Sequence, residues 1–234
     1  MLTYSCNLNC IYCYQKYKTS QRMTLETAKS VVTREVQLAR ESNNKDGVRF
    51  DLFGGEPLLQ FDLIKELCAW IWETITDVKV DIFITTNGTL LDDEKKAWFN
   101  THKERINLIM SVDGKDDVQV GNRGCQSSEL PIRWMIDTLP NYLLSMTVSR
   151  KALANFADEL IYFHEHNYRI DAKPRGNHVG PQVQSRGPPG AITWAPRGNH
   201  VGPLGQSRGP LGEITWAHTY YLHLSSAKKT AGPS

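Results

Sequence analysis

The stretch Cys6-Asn7-Leu8-Asn9-Cys10-Ile11-Tyr12-Cys13 constrains this chain more than any other. Its three cysteines have C-x3-C-x2-C spacing, close enough for one loop to wrap a single inorganic centre. A closed structural zinc site or an iron–sulfur cluster held entirely by protein takes four protein ligands. Three thiolates leave one metal position open, and an open position is where a substrate or cofactor can bind. Thiols set this tightly in a reducing compartment read as metal ligands before they read as disulfides. A zinc knuckle or a ferredoxin-like electron-transfer loop would use the same residues, so the rest of the chain has to discriminate.

Composition divides the chain in two. Pro174 to Ser234 holds 10 Gly and 8 Pro, against 7 Gly and 3 Pro in the 173 residues before it. The tail carries six Lys and Arg and only Glu213, whereas the first 173 residues carry 21 basic and 24 acidic side chains. Neither part has the dense basic run that binds nucleic acid. There is no apolar run of membrane-spanning length and no signal peptide ahead of the cysteines, so the expectation is a soluble, cytoplasmic protein.

Between residues 2 and 173 strand and helix alternate five times. Leu2-Thr3-Tyr4 reads as the end of a strand. Thr24 caps a helix carrying Leu25, Ala28, Val32 and Ala39 at helical spacing. Val48, Phe50 and Leu52 alternate as a strand into Gly54-Gly55-Glu56-Pro57, and a helix begins near Asp62 with Ile64, Leu67, Cys68, Ile71 and Ile75 inward. A strand over Val80–Ile84 ends in Thr86-Asn87-Gly88, followed by a helix from about Asp92 to Asn100. The Ile106–Val112 strand ends in Asp113-Gly114. A helix over Pro131–Thr138, a strand over Leu143–Val148 and a helix traced by Leu153, Phe156, Leu160, Ile161 and His164 complete the series. Such alternation implies a parallel sheet with covering helices, and polar motifs directly after the strands favour a barrel with its site at the carboxyl ends. Cys68 falls on an apolar helix face and reads as core. Cys125 falls in a loop. His164 and His166 point to different sides of their helix and do not read as a metal pair.

With these motifs in place, the chain resembles the radical S-adenosylmethionine enzymes. The cysteine loop with Tyr12 before the last cysteine is similar to that family's signature. The resemblance implies a [4Fe-4S] cluster on Cys6, Cys10 and Cys13, with S-adenosylmethionine at the open iron. Gly54, Gly55 and Glu56 resemble the family turn that binds the cofactor's amino group, Asn87 lies in its third-strand ending, and Ser111 and Asp113 match residues that bond its ribose or carboxylate. Tyr12, Gly54, Gly55, Glu56, Asn87, Ser111 and Asp113 are therefore the expected cofactor contacts, and no catalytic acid or base is identified. The implied fold is a partial (β/α)6 barrel over residues 1–173, incomplete at its first and last strands. Most of the first strand is expected to lie outside this sequence, with Met1 not the true start.

Phe53–Leu59 and Thr86–Leu91 look most like the peptide- and sulfatase-maturating branch, of the SPASM type. Arg123 falls where that branch often has an arginine, while a histidine usual a few residues earlier is replaced by Gln119. The resemblance implies reductive cleavage of S-adenosylmethionine to a 5′-deoxyadenosyl radical that abstracts hydrogen from a peptide or protein. It also implies an electron donor such as ferredoxin or flavodoxin, and neither nucleic acid nor membrane as partner. Residues 174–234 contain a 22-residue tandem repeat, Pro174–Ala195 and Pro196–Ala217, too poor in apolar residues for a core and expected to be disordered. The branch's cysteine-rich auxiliary domain is absent from this sequence. The alternatives are an inactive truncated or frameshifted fragment, and an electron-transfer module that holds a cluster without cleaving the cofactor.

Overall fold

The computed structural model describes residues 1–149, 156–174 and 222–224. Five strands lie in sequence order in one parallel sheet: β1 (Val48–Leu52), β2 (Val80–Thr86), β3 (Ile106–Ser111), β4 (Tyr142–Val148) and β5 (Ile170–Pro174). A short β6 (Leu222–Leu224) pairs antiparallel with β5. Helix α1 (Leu25–Glu41) precedes β1, and helices α2 (Phe61–Thr74), α3 (Asp93–Thr101), α4 (Asp116–Arg123), α5 (Ile132–Thr138) and α6 (Phe156–Glu165) fill the crossovers. This is the α/β half-barrel that strict alternation implies, because parallel neighbours need a crossover and a helix is the shortest one that buries an apolar face.

The local chemistry of the elements explains their ends. Thr24 accepts from the Thr27 amide at the start of α1, and Asp92 accepts from the Lys95 amide at the start of α3. Both satisfy donors that a helix start leaves unpaired. In α1 the buried side chains are Ala28, Val32, Val36 and Ala39; Val36 adds to the stripe expected from the sequence, and Leu25 at its start is half-buried. Central β2 and β3 are sandwiched, with Ile82, Ile84, Leu108 and Met110 fully buried between α2, α3 and the opposite side of the sheet.

Four sequence expectations change. Leu2-Thr3-Tyr4 is not a strand: Thr3 makes one isolated antiparallel bridge to Arg22, while the Leu2 amide donates to Phe53 O at 2.7 Å and Thr3 O accepts from the Gly55 amide at 2.7 Å. A 3-10 turn over Pro57–Gln60 precedes α2. The stretch after Gly114, read without a helix, contains α4, ended by Gly124 at φ +80°. Its few apolar residues hid it, because Gln119, Asn122 and Arg123 are buried on its inner face. Finally, the boundary near residue 174 falls at the end of β5, and Leu222–Leu224 of the tail adds a strand. The tandem repeat and Leu153 lie outside the described residues.

Cys68 is wholly inside the core, and burial pushes its thiol up to about 12. It therefore has almost no thiolate at neutral pH. Iodoacetamide at pH 7.5 should label Cys6, Cys10, Cys13 and Cys125 in the folded chain and spare Cys68 until denaturant is added, as read by peptide mass spectrometry. Labelling of Cys68 at the same rate as the others would show that α2 does not pack as described.

Candidate functional site

The turns that follow β1, β2, β3 and β4 gather at the carboxyl end of the sheet, and the cysteine loop lies over them. Each contact can be traced from backbone upward. After β1 the chain turns through Gly54 and Gly55, pressed against residues 3–6. A Cβ on Gly54 would stand 2.6 Å from Thr3 O, and one on Gly55 would stand 2.1 Å from Ser5 O and 3.0 Å from the Cys6 Cβ. Only glycine permits that approach, and it brings the loop against the sheet: the Glu56 amide donates to Ser5 O at 2.8 Å.

Glu56 is buried, and its carboxylate is engaged within the chain. Oε1 accepts from the Leu58 amide at 3.0 Å and the Thr86 hydroxyl at 2.7 Å, and Oε2 accepts from the Asn87 amide at 2.8 Å. It thereby clamps the β1 turn to the end of β2. Burial pushes the carboxyl above its usual range, and these donors counteract part of that rise. Asn87 continues the chain of contacts. Its side-chain nitrogen donates to Asn7 Oδ1 at 2.9 Å and points to Cys6 Sγ at 4.0 Å, while Asn7 donates to the Thr89 hydroxyl at 2.7 Å. One end of the cysteine loop is thus pinned to the β2 turn.

The other end is pinned through Asp113, which is completely buried. Its carboxylate accepts from the Tyr12 hydroxyl, from Asn122 Nδ2 at 3.1 Å, from Arg123 Nη2 at 2.9 Å and from the Thr147 amide at 2.9 Å. Gln119 Oε1 accepts from the Asp113 amide at 2.8 Å, and the Ile11 amide donates to Asn122 O at 2.9 Å. Burial, reinforced by Asp113, pushes the Tyr12 phenol well above its ordinary value, so it stays a donor. Burial alone would pull the Arg123 guanidinium down, but Asp113 and Tyr12 outweigh it and hold it above its usual range. The Arg123 Nε is buried without a hydrogen-bond partner.

Cys6, Cys10 and Cys13 are free and half-buried. Burial pushes the Cys10 thiol upward; Arg123 opposes this, and Asp113, Cys6 and Cys13 add to it, which marks the three sulfurs as electrostatic neighbours. Among the described residues no three His, Cys, Asp or Glu side chains converge on a point for a single metal ion. A cluster makes a different demand, since its cysteines each bind a separate iron and stand apart. Three thiols without a fourth ligand, on a loop held at both ends, fit that demand.

All the expected site residues come to this one end. Ser111 is half-buried at the end of β3. Cys125 follows α4 and accepts from Gln119 Nε2 at 3.7 Å. Asn7, Thr86, Thr89 and Asn122 were missed by sequence reading. Asn7 sits inside the cysteine motif and could have been singled out; nothing local distinguishes Asn122.

The fold is thus a parallel α/β half-barrel with a three-cysteine loop over its carboxyl edge. Residues 1–114, just under half of the chain, match the Radical SAM superfamily. Two curated relatives match parts of the chain: an uncharacterized protein of Methanocaldococcus jannaschii, 32% identical over 113 residues, and a probable GTP 3′,8-cyclase of Methanothermobacter thermautotrophicus, 35% identical over 108 residues. The matches take in 48% and 46% of this chain, and only 37% and 32% of those proteins. In fold the chain is similar to native anSMEcpe with bound AdoMet, with a TM-score of 0.64 at 20% identity over 80% of this chain and 52% of that one. It is also similar to Streptococcus suis SuiB bound to precursor peptide SuiA, with a TM-score of 0.58 at 16% identity over 74% of this chain and 38% of that one.

The Asp113 network makes a quantitative demand. Asp113→Ala leaves the buried Arg123 without its counter-ion and should cost about 3–5 kcal/mol in urea unfolding. Tyr12→Phe removes only the phenol's bond to a charged group and should cost about 1.5–3 kcal/mol. It should also raise hydrogen exchange at the Ile11 amide. An Asp113→Ala chain as stable as the parent would mean that Arg123 finds water there instead.

Proposed function

We propose that this chain carries the cofactor-binding half of a radical S-adenosylmethionine enzyme that modifies a peptide or protein. The observation behind this reading is the placement of three free, half-buried thiols over the carboxyl edge of a parallel sheet, against a double-glycine turn that leaves no room for a side chain. Cys6, Cys10 and Cys13 hold a [4Fe-4S] cluster in this proposal. Bound there, the cluster supplies the electron that splits S-adenosylmethionine into methionine and a 5′-deoxyadenosyl radical, which takes hydrogen from the substrate.

The chain's own residues orient the cofactor and keep the loop in shape. Gly54, Gly55 and Ser111 are assigned to direct contact with S-adenosylmethionine. Tyr12, Glu56, Asn87 and Asp113 act as positioning residues, because their polar atoms are already bonded inside the chain. This revises the direct contact that resemblance implies for those four.

Support for a peptide substrate comes from Phe53–Leu59 and Thr86–Leu91, and from fold neighbours solved with peptides, the Cp18Cys peptide and SuiA. The relatives described as probable GTP 3′,8-cyclases support a nucleotide instead. The family match, however, takes in only residues 1–114, with the cysteine loop and the β1, β2 and β3 turns.

Anaerobic reconstitution should yield about four irons per chain with the electronic spectrum of a [4Fe-4S] centre. Cys10→Ala should abolish it and Cys68→Ala should not. A stable mononuclear zinc at the three cysteines would end the radical reading. With S-adenosylmethionine and dithionite, 5′-deoxyadenosine formation should be stimulated by a thiol- or hydroxyl-bearing peptide and not by GTP. Stimulation by GTP alone would move the substrate to the nucleotide class.

A further inference from the structure

The buried polar groups on the inner face of α4 are engaged, with one exception. Gln119 Oε1 accepts from the Asp113 amide at 2.8 Å. Asn122 donates to Asp113 Oδ2 at 3.1 Å, and its Oδ1 accepts from the Ser149 hydroxyl at 2.9 Å. Arg123 donates through Nη2 to Asp113 Oδ1 at 2.9 Å, and its side chain is 9% exposed. Its Nε is nevertheless buried with no partner, one of two such side-chain atoms among the described residues. A charged group with an unused buried donor is costly, because that donor has lost water and gained nothing.

Arg123 lies against the stretch of loop that joins two of the thiols. Ile11 and Tyr12 are the residues between Cys10 and Cys13. The Ile11 amide donates to Asn122 O at 2.9 Å, and the Tyr12 hydroxyl donates to the carboxylate that Arg123 holds. The guanidinium carbon stands 5.4 Å from the centroid of the Tyr12 ring, within reach of cation–π attraction. Three contacts thus set a buried cation beside the Cys10–Cys13 segment.

Asp113 offsets that charge, but not evenly in space. Burial is the strongest influence on the Cys10 thiol and pushes it up. Arg123 comes next and opposes the rise, ahead of Asp113, Cys6 and Cys13, which add to it. The positive end of the ion pair therefore acts on Cys10 more strongly than the negative end. Reduction potentials of iron–sulfur clusters respond to nearby charge, to hydrogen bonds on sulfur and to solvent exposure. Three thiolates make the oxidised site anionic, and reduction adds one more negative charge.

We propose that Arg123 sets how readily a cluster on Cys6, Cys10 and Cys13 accepts an electron, its buried charge and unused Nε donor favouring the reduced form. The inference rests on the cluster reading above. Arg123 acts as a positioning residue, through the Cys10 side of the loop. In the step concerned the reductant loses one electron and the cluster gains it. No bond forms or breaks, and Arg123 stays protonated.

The test uses the reconstituted full chain, its cluster confirmed by iron content and visible spectrum. It is titrated with dithionite and mediator dyes and read by electron paramagnetic resonance. Arg123→Gln should make one-electron reduction about tenfold less favourable, a fall of about 59 mV in midpoint potential. Arg123→Lys, which keeps a charge, should stay closer to the parent. Asp113→Asn with Arg123→Gln removes both charges and leaves no uncompensated buried carboxylate. Its potential should fall between those of the parent and Arg123→Gln, and it carries the comparison where the single neutral variant does not fold. The shift should persist at high salt, because a buried charge is poorly screened. An unchanged potential in a neutral variant that assembles its cluster would overturn the proposal. So would an equal fall in Arg123→Lys, which would assign the effect to geometry instead of charge. An unchanged potential with weakened S-adenosylmethionine binding would overturn it too, making Arg123 a contact of the cofactor. Loss of the cluster from Arg123→Lys and from both neutral variants would make the residue structural and would likewise overturn it. Failure of the parent to assemble a cluster would show before any variant is compared, and would remove the functional reading and this inference together.

Discussion

The buried ion pair between Asp113 and Arg123 is the constraint on which the rest of this site depends. Taking two charges out of water is costly, and such a pair adds little net stability against an apolar alternative. Its effect here is geometric. One carboxylate receives donors from the cysteine loop, from both Asn122 and Arg123 of α4, and from the backbone at the end of β4. Each of those partners can satisfy its donor only if the other elements are in register. Asp113 thus makes the position of Tyr12, one residue before Cys13, a function of how β3, α4 and β4 pack.

Glu56 does the corresponding work on the opposite side. It joins the β1 turn to Thr86 and Asn87, and Asn87 reaches Asn7 in the loop. The loop is therefore held at two ends by two buried acids, each closing a gap between adjacent strand ends. A loop held this way loses little freedom when a cofactor binds, which is the energetic advantage of preorganisation. The glycines at 54 and 55 are the steric counterpart, letting the backbone of residues 3–6 approach where a side chain would collide.

Around the loop and the segment that returns from it Tyr14, Lys16, Tyr17 and Arg22 are exposed, and the Tyr14 hydroxyl reaches Gly54 O of the β1 turn at 3.5 Å. The family match takes in residues 1–114, which hold the thiols and the β1, β2 and β3 turns. The elements from α4 onward meet the cysteine loop and the Asp113 carboxylate through Asn122, Arg123 and Thr147.

Much of this was legible in the sequence, for stated reasons. Three cysteines in eight residues are a local pattern, and so are two glycines before Glu56 and the alternation of Val48, Phe50 and Leu52. Among the described residues, apolar periodicity located five of the six helices and the strands from β1 to β4, since burial on one face leaves a repeat that can be counted. Helix α4 escaped because its inner face is polar, and its burial is repaid by hydrogen bonds rather than by apolar area. Tertiary structure alone decided what Glu56, Asn87 and Asp113 bond to. A carboxylate at a strand end looks the same in sequence whether it waits for a ligand or braces its neighbours. Which one it does is set by donors 9, 10, 31 and 34 residues away along the chain, brought to it only by the parallel sheet.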